Sequence, residues 1–229
     1  MRGRQVANKW CLVHNETVVP LEVAQDHKCV FDGDKGPNTG GMGSYSPVKK
    51  ITSEIIDEAM NEIMKPMASA MVKEGVPFTG FLYGGLMLTE KGIKTIEFNA
   101  RFGDPEAEVI LPRLESDFVQ AILDLMDNKP VELKWTDKVS HGVVLASTNY
   151  PASSTKGSLI TGVDDVDGLV FHMGTKMTDE GLVTDGGRVL MVVTLEDDLQ
   201  TAFDHTYKEL DKIQCKDLFH RNDIGKKDM

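Results

Sequence analysis

Ile96-Glu-Phe-Asn-Ala-Arg-Phe-Gly-Asp-Pro-Glu106 is the stretch on which the fold and the chemistry of this chain turn. On a β-strand successive side chains alternate between faces. Glu97, Asn99 and Arg101 are therefore expected on one face, and Phe98, Ala100 and Phe102 on the other. One face then carries a carboxylate, an amide oxygen and a guanidinium over an apolar underside. Oxygen donors of this kind suit Mg²⁺, which is held by one or two carboxylates together with substrate phosphates. A guanidinium two positions on can fork onto phosphate oxygens. An arbitrary E-x-N-x-R is more often an edge strand with a solvated polar face, and on the residues alone both readings stay open.

Upstream, Ile93–Asn99 and Phe78–Leu88 read as strands joined by the polar turn Thr89-Glu-Lys-Gly92. Before them, Ser53–Lys73 has helical apolar spacing. Ser53 is a candidate cap, Pro66 an expected kink, and Gly75 and Pro77 an expected stop. Trp10–His14 and Thr17–Ala24, around Asn15-Glu16, read as a hairpin. Between hairpin and helix lies Asp32-Gly-Asp-Lys-Gly-Pro-Asn-Thr-Gly-Gly-Met-Gly43, a glycine-rich loop with Lys35, Asn38 and Thr39 among the glycines. Such a loop can converge N–H groups on an anion. It lacks the Gly-Lys-Ser/Thr of a Walker A loop, and a long mobile hairpin loop is an equal reading. Just ahead, Gln25-Asp-His-Lys28 would place Asp26 and Lys28 on one face. His27 reads as a hydrogen-bonded structural residue.

Downstream, Pro105–Leu114 and Asp117–Met126 read as helices, and Val131–Asp137 as a strand and linker. From Val139 the pattern changes to short strands at Gly142–Ser147, Leu169–Met173 and Gly187–Val193. Leu199–Ile213 then has the spacing of an amphipathic helix. A boundary is expected near residues 134–140.

The bulk properties narrow the field. A net charge of −11 over 229 residues argues against duplex nucleic acid as a partner. Three scattered cysteines form neither a metal motif nor a disulfide framework, which suits a reducing cytoplasm. No apolar run is long enough to span a membrane.

Five stretches in order carry a resemblance: Ala24-Gln-Asp-His-Lys28, Asp32 to Gly43, Glu97 to Glu106, Thr184-Asp-Gly-Gly-Arg-Val-Leu190 and His220-Arg-Asn-Asp-Ile-Gly225. They resemble the signatures of the phosphoribosylamine–glycine ligase family, within the ATP-grasp superfamily, and run from about Pro20 to Gly225. The resemblance implies an α+β fold. The second half of an ATP-grasp domain, an antiparallel sheet with helices, would occupy 1–136, and a small mostly-β C-terminal domain with one terminal helix 137–229. It implies that ATP phosphorylates glycine and that 5-phosphoribosylamine attacks the glycyl phosphate. The products would be glycinamide ribonucleotide, ADP and phosphate, in purine biosynthesis. A folded fragment inactive alone, or an ATP-grasp ligase for another carboxylate–amine pair, are the alternatives.

By the same resemblance Glu97 and Asn99 are the Mg²⁺ or Mn²⁺ ligands. Arg101 and Lys28 take catalytic parts, and Met87 packs under adenine. Asp26, Asn38, Thr39, Gly40, Gly41, Asp104 and Glu106 contact substrate. Gly85 stands where related ligases carry a further metal carboxylate, and Cys29 where the family has a basic residue. The opening Met1–Trp10 departs from the family's Gly-Glu-Glu-type segment, so a preceding part of the same enzyme is an expected partner.

Overall fold

The computed structural model describes residues 4, 5 and 8–229. Met1–Gly3, Val6 and Ala7, in the opening segment noted above, lie outside the described residues. Along the chain come β1 (Arg4–Gln5), β2 (Asn8–His14), β3 (Thr17–Asp26), β4 (Cys29–Phe31), β5 (Lys35–Asn38), β6 (Gly43–Ser46), α1 (Ser53–Ala59), α2 (Lys65–Lys73), β7 (Thr79–Thr89) and β8 (Gly92–Asn99). There follow α3 (Ala107–Ile110), α4 (Phe118–Met126), β9 (Val139–Ser147), β10 (Leu169–His172), β11 (Thr175–Thr178), β12 (Gly181–Thr184), β13 (Arg188–Glu196), α5 (Leu199–Leu210) and β14 (Leu218–Phe219). The fold is α+β.

Two compact units form, each from several pieces of sequence. The first comprises Met1–Gln25, Pro47–Gly103 and Arg113–Thr136; the second comprises Asp26–Ser46, Asp104–Pro112 and Asp137–Met229.

In the first unit β7 is the central strand of an antiparallel sheet, with β8 on one side and β2 on the other, and β3 beyond β2. The expected helix over Ser53–Lys73 is present, with a π turn at Met60–Met64 separating α1 from α2. Proline has no N–H, and its ring collides with the carbonyl four residues back. Ahead of Pro66 the ladder has already lengthened, with the Lys65 N–H bonding Met60 O. The cap is Thr52 rather than Ser53, and it makes no side-chain cap bond. Gly75, at φ +78°, ends α2, and the Val76 N–H returns to Met71 O at 2.9 Å. The helical seam of Met60, Met64 and Ala68 buries Cys11, Val13 and Leu82 of the sheet. Each buried methionine contributes about 1.5–3 kcal/mol of transfer free energy.

In the second unit the antiparallel order is β6-β9-β13-β10, with β14 beside one end of β9. All nine residues of β9 are buried, as α5 packs on β9 and β13 while α3 packs on β6 and β9. The glycine-rich stretch is more ordered than a loop: β4 and β5 pair through Cys29↔Asn38 and Phe31↔Lys35, and β6 follows. The expected strand in Val131–Asp137 is absent. Only the bridge Leu114↔Trp135 forms, because no neighbouring strand continues the ladder there.

Candidate functional site

In the first unit Glu97 pairs with Gly85 and Asn99 with Tyr83. The register shifts between Gly85 and Leu86, which pairs with Thr95, so Ile96 is the extra residue of a bulge and is 56% exposed. After the bulge Glu97 rises on the same face as Gly85. A Cβ built at Gly85 would sit 3.1 Å from Glu97 Cγ. Asn99 Nδ2 donates to Glu97 Oε1 at 3.0 Å, so the two side chains meet. Met87, two residues along β7 from Gly85, shares that face and is half-buried.

Regular pairing ends at Asn99, and the alternation does not reach Arg101. Ala100 and Arg101 form a bend, and the exposed Arg101 turns its Nη1 onto Phe102 O at 2.8 Å. Phe98 and Phe102 part company for the same reason. Phe98 packs on the helical seam, whereas the Phe102 ring lies tilted at 3.9 Å from Phe81 and 6.1 Å from Phe118.

The Glu97–Asn99 pair fits a hard divalent cation by donor type. It offers a carboxylate and an amide oxygen on one exposed face, and the small Gly85 leaves room beside them. A cation there would need the Asn99 amide turned so that its oxygen replaces the nitrogen. The described residues contain no group of three or more His, Cys, Asp or Glu placed to hold a metal. Substrate oxygens would have to complete the shell.

The second unit gathers most of the other expected residues. Lys28 forms an ion pair with buried Asp26, reaches Gly40 O at 3.2 Å and lies 3.9 Å from Glu106 Oε1. Thr39 Oγ1 donates to Lys28 O at 2.8 Å and accepts the Gly41 N–H at 2.9 Å. Gly41 has φ +129°, and a Cβ there would lie 2.6 Å from Asp26 Oδ1, so a side chain is excluded twice over. Asp104 pairs with Arg188 at 2.8 Å. Asn38 stands apart: it is exposed on β5, with Cys29 Sγ 3.6 Å from its Oδ1. Burial lowers the affinity of Lys28 for its proton, but Asp26 and Glu106 outweigh that and hold it protonated above the ordinary lysine value. Burial pushes Asp26 upward against the pull of Lys28.

The model of the phosphoribosylglycinamide synthetase ATP-grasp (A) domain matches residues 1–107, and that of the same family's C domain matches residues 140–227. The chain belongs to the phosphoribosylglycinamide synthetase family. It is 52% identical to phosphoribosylamine–glycine ligase of Halalkalibacterium halodurans over 94% of this chain and 51% of that protein. Against the ligase of Lactococcus lactis it is 46% identical over 93% of this chain and 52% of the relative. The crystal structure of phosphoribosylamine–glycine ligase from Thermotoga maritima superposes with a TM-score of 0.90 at 35% identity, covering 98% of this chain and 56% of that one. The chain thus spans about half the length of the relatives it matches.

The family motif His220–Gly225 has a structural task in the second unit. The side chain of Arg221 is fully buried. It bonds Asp223 at 2.7 and 2.9 Å, Cys29 O at 2.9 Å and Asp34 Oδ1 at 3.0 Å. Asp223 also accepts the Gly33 N–H at 2.7 Å, and Asp32 accepts the Asn222 N–H at 2.8 Å. The motif therefore clamps the β4–β5 hairpin. His27 is structural, as expected: its Nε2 accepts the Gly225 N–H at 3.1 Å, and burial pulls its pKa down to about 4.

Sequence reasoning passed over three residues beside Lys28. Arg188 sits in the Thr184–Leu190 motif, but no local signal ties it to Asp104 or Gly41. Tyr150 accepts the Gly40 N–H at 2.9 Å. The carboxyl of Glu108, on α3, is pushed up to about 7, mainly by burial and then by the charge of Asp104. The spacing Asp104-Pro-Glu-Ala-Glu108 was the one available hint.

Proposed function

We propose that this chain supplies the metal and phosphate side of an ATP-dependent ligase that joins glycine to 5-phosphoribosylamine. ATP transfers its terminal phosphoryl group to the glycine carboxylate, leaving ADP. The amine of 5-phosphoribosylamine then attacks the acyl carbon and expels phosphate, giving glycinamide ribonucleotide. The observation that carries this reading is the Glu97–Asn99 pair raised on one face of β8 in a chain of this family.

Glu97 and Asn99 are the oxygen donors for Mg²⁺ or Mn²⁺, which when bound offsets the negative charge of the nucleotide phosphates. Arg101, turned onto its own backbone here, swings to the transferred phosphoryl group. Met87 offers an apolar surface to the adenine. Lys28, with Asp26, Thr39, Gly40, Gly41, Asp104 and Glu106, contacts glycine or the phosphoribosylamine, and Asn38 lies at the margin of that group. The spans of the two family models support residues 1–136 as a partial ATP-grasp domain and 137–229 as the C-terminal domain. A cytoplasmic location agrees with the absence, among the described residues, of a helix long and apolar enough to cross a membrane.

The test is Mg²⁺–ATP binding by the enzyme extended to its relatives' full length, before and after Glu97→Ala with Asn99→Ala. Unchanged affinity would show that the metal assignment is wrong. Coverage of only half the relatives' length favours a second reading for the isolated chain, in which it turns over only with the remaining half; turnover by the chain alone excludes that.

A further inference from the structure

Stability alone does not explain the buried charge of Arg221. Its side chain is 0% exposed. The solvation lost on burying a charge can outweigh the attraction of its partners, and apolar replacements of buried ion networks are often neutral or stabilising. What a buried guanidinium does supply is geometry. Its donors lie in one rigid plane, so each partner is held at a set place around it. Here Nε and Nη2 fork onto Asp223 at 2.7 and 2.9 Å, Nη2 also reaches Asp34 Oδ1 at 3.0 Å, and Nη1 donates to Cys29 O at 2.9 Å.

The bonds from this segment bracket Lys28. On its C-terminal side Cys29 O is held by Arg221, and on its N-terminal side His27 Nε2 accepts the Gly225 N–H at 3.1 Å. Lys28 O turns the other way, accepting the Thr39 N–H at 2.7 Å and the Thr39 hydroxyl at 2.8 Å. Residues 27–29 are thus gripped from two sides, by residues 221–225 and by the glycine-rich stretch. At the far end of the hairpin Asp34 has φ +54°, a left-handed conformation uncommon for a residue with a side chain. Arg221 and Lys227 both pair with its carboxylate, and Asp223 accepts the neighbouring Gly33 N–H at 2.7 Å. Such backbone strain persists where the surroundings over-determine it, and it clusters at functional sites.

We infer that Arg221 is a positioning residue: through Cys29, Asp34 and Asp223 it sets where the Lys28 ammonium stands against the substrate, and thereby the affinity for that substrate. Fully enclosed, Arg221 acts through the strand and not by contact. This rests on the ligase reading, in which Lys28 contacts glycine or the phosphoribosylamine. Lys227 shares Asp34 as a partner but is more than half exposed, and exposed pairs contribute little, which makes it the internal control.

Two measurements test the assignment, each variant being checked by thermal melting. In the folded chain the ¹³Cε NMR signal of Lys28 should move in Arg221→Lys, which keeps the charge and loses the fork, and stay in place in Lys227→Met. In the enzyme extended to its relatives' full length, the substrate that Lys28 contacts is the one whose KM rises in Lys28→Met. Arg221→Lys should raise that same KM about 10-fold, the scale of one displaced charge-assisted bond, with kcat and the KM for ATP within about 2-fold. A merely structural role would lower the melting temperature and the active fraction, which scales kcat and leaves KM in place. Added to Lys28→Met, Arg221→Lys should raise KM no further, since residues acting through one group are not additive. Should Arg221→Lys fail to fold, Asp34→Asn replaces it in every comparison; asparagine tolerates the left-handed backbone, and the expected rise in KM is about 3-fold. An unmoved Lys28 signal would overturn the assignment. So would an unchanged KM in Arg221→Lys where Lys28→Met raises it, or additive effects of the two substitutions. A moved signal with both KM values unchanged in Lys28→Met would leave the positioning standing and show that the substrate role of Lys28 is wrong.

Discussion

The pair on β8 and the cluster around Lys28 hold charged groups in opposite ways. Glu97 is exposed, bonded to Asn99 and bordered by a glycine. Lys28 is tied into buried carboxylates, a backbone carbonyl and a glycine turn that tolerates no side chain. An exposed side-chain hydrogen bond contributes little to stability, whereas removing one partner of a buried ion pair leaves an uncompensated charge. The strand pair should therefore matter to function with little effect on folding, and the cluster should matter to both.

The sharpest way to break that contrast is Glu97→Ala with Asn99→Ala in the full-length enzyme. Turnover should fall by about 10²–10³-fold or more, the scale of removing a preorganised charge-stabilising group. The melting transition should barely move, since exposed substitutions stay within about 0.5 kcal/mol. A large drop in melting temperature would mean the pair is structural.

The next effect falls on the second unit through pH. His27 and His141 are buried there with pKa values pulled down to about 4, in both cases mainly by burial. His141 Nε2 lies 2.9 Å from Ile224 O and its Nδ1 2.8 Å from Thr206 Oγ1. In the unfolded chain a histidine takes its proton near pH 6.5. As pH falls from about 6.5 to 4 the unfolded state therefore binds protons first. The stability is full above 6.5 and is lost across that window, by up to about 3 kcal/mol per histidine. Hydrogen exchange against pH should show amides of β9 and α5 losing protection there. Equal loss in β7 and α2 would erase the contrast between units.

Lys28→Ala comes third. It strands Asp26 beside Glu106 and should cost about 3 kcal/mol, read as a lowered denaturation midpoint at pH 7. Lys28→Met, which keeps the packing, should recover little.

Glu108→Gln is the substitution expected to stabilise. A carboxyl held near pH 7 opposes folding once ionised, so the substitution should stabilise by up to about 3 kcal/mol at pH 8 and bring little benefit near pH 4.5. Stabilisation independent of pH would point to packing instead.

What the sequence made legible was local. Helical spacing over Ser53–Lys73 and the disturbance at Pro66 were there to be seen, because apolar period and the missing proline N–H act within a turn or two. The strand Ile93–Asn99 was legible, but its bulge at Ile96 and the bend at Arg101 were not; both arise from how β8 meets β7. The alternation of Val131, Leu133 and Trp135 looked like a strand and found no ladder to join. The β11–β12 hairpin escaped notice because Thr175–Thr178 is polar and mostly exposed, with no face to pattern. In the candidate site, Glu97, Asn99 and Lys28 stood out through motif resemblance. Arg188 could not, since its meaning depends on Gly40 and Asp104, far away in sequence.

The Arg221 clamp gives the chain a timetable. Residues 32–34 of the β4–β5 hairpin are held by side chains and amides about 190 positions later. At ribosomal rates that interval is roughly 10–40 s. During translation the glycine-rich stretch leaves the ribosome long before the Arg221 clamp exists to hold it. The segment beside Lys28 is thus among the last parts of the second unit to be secured.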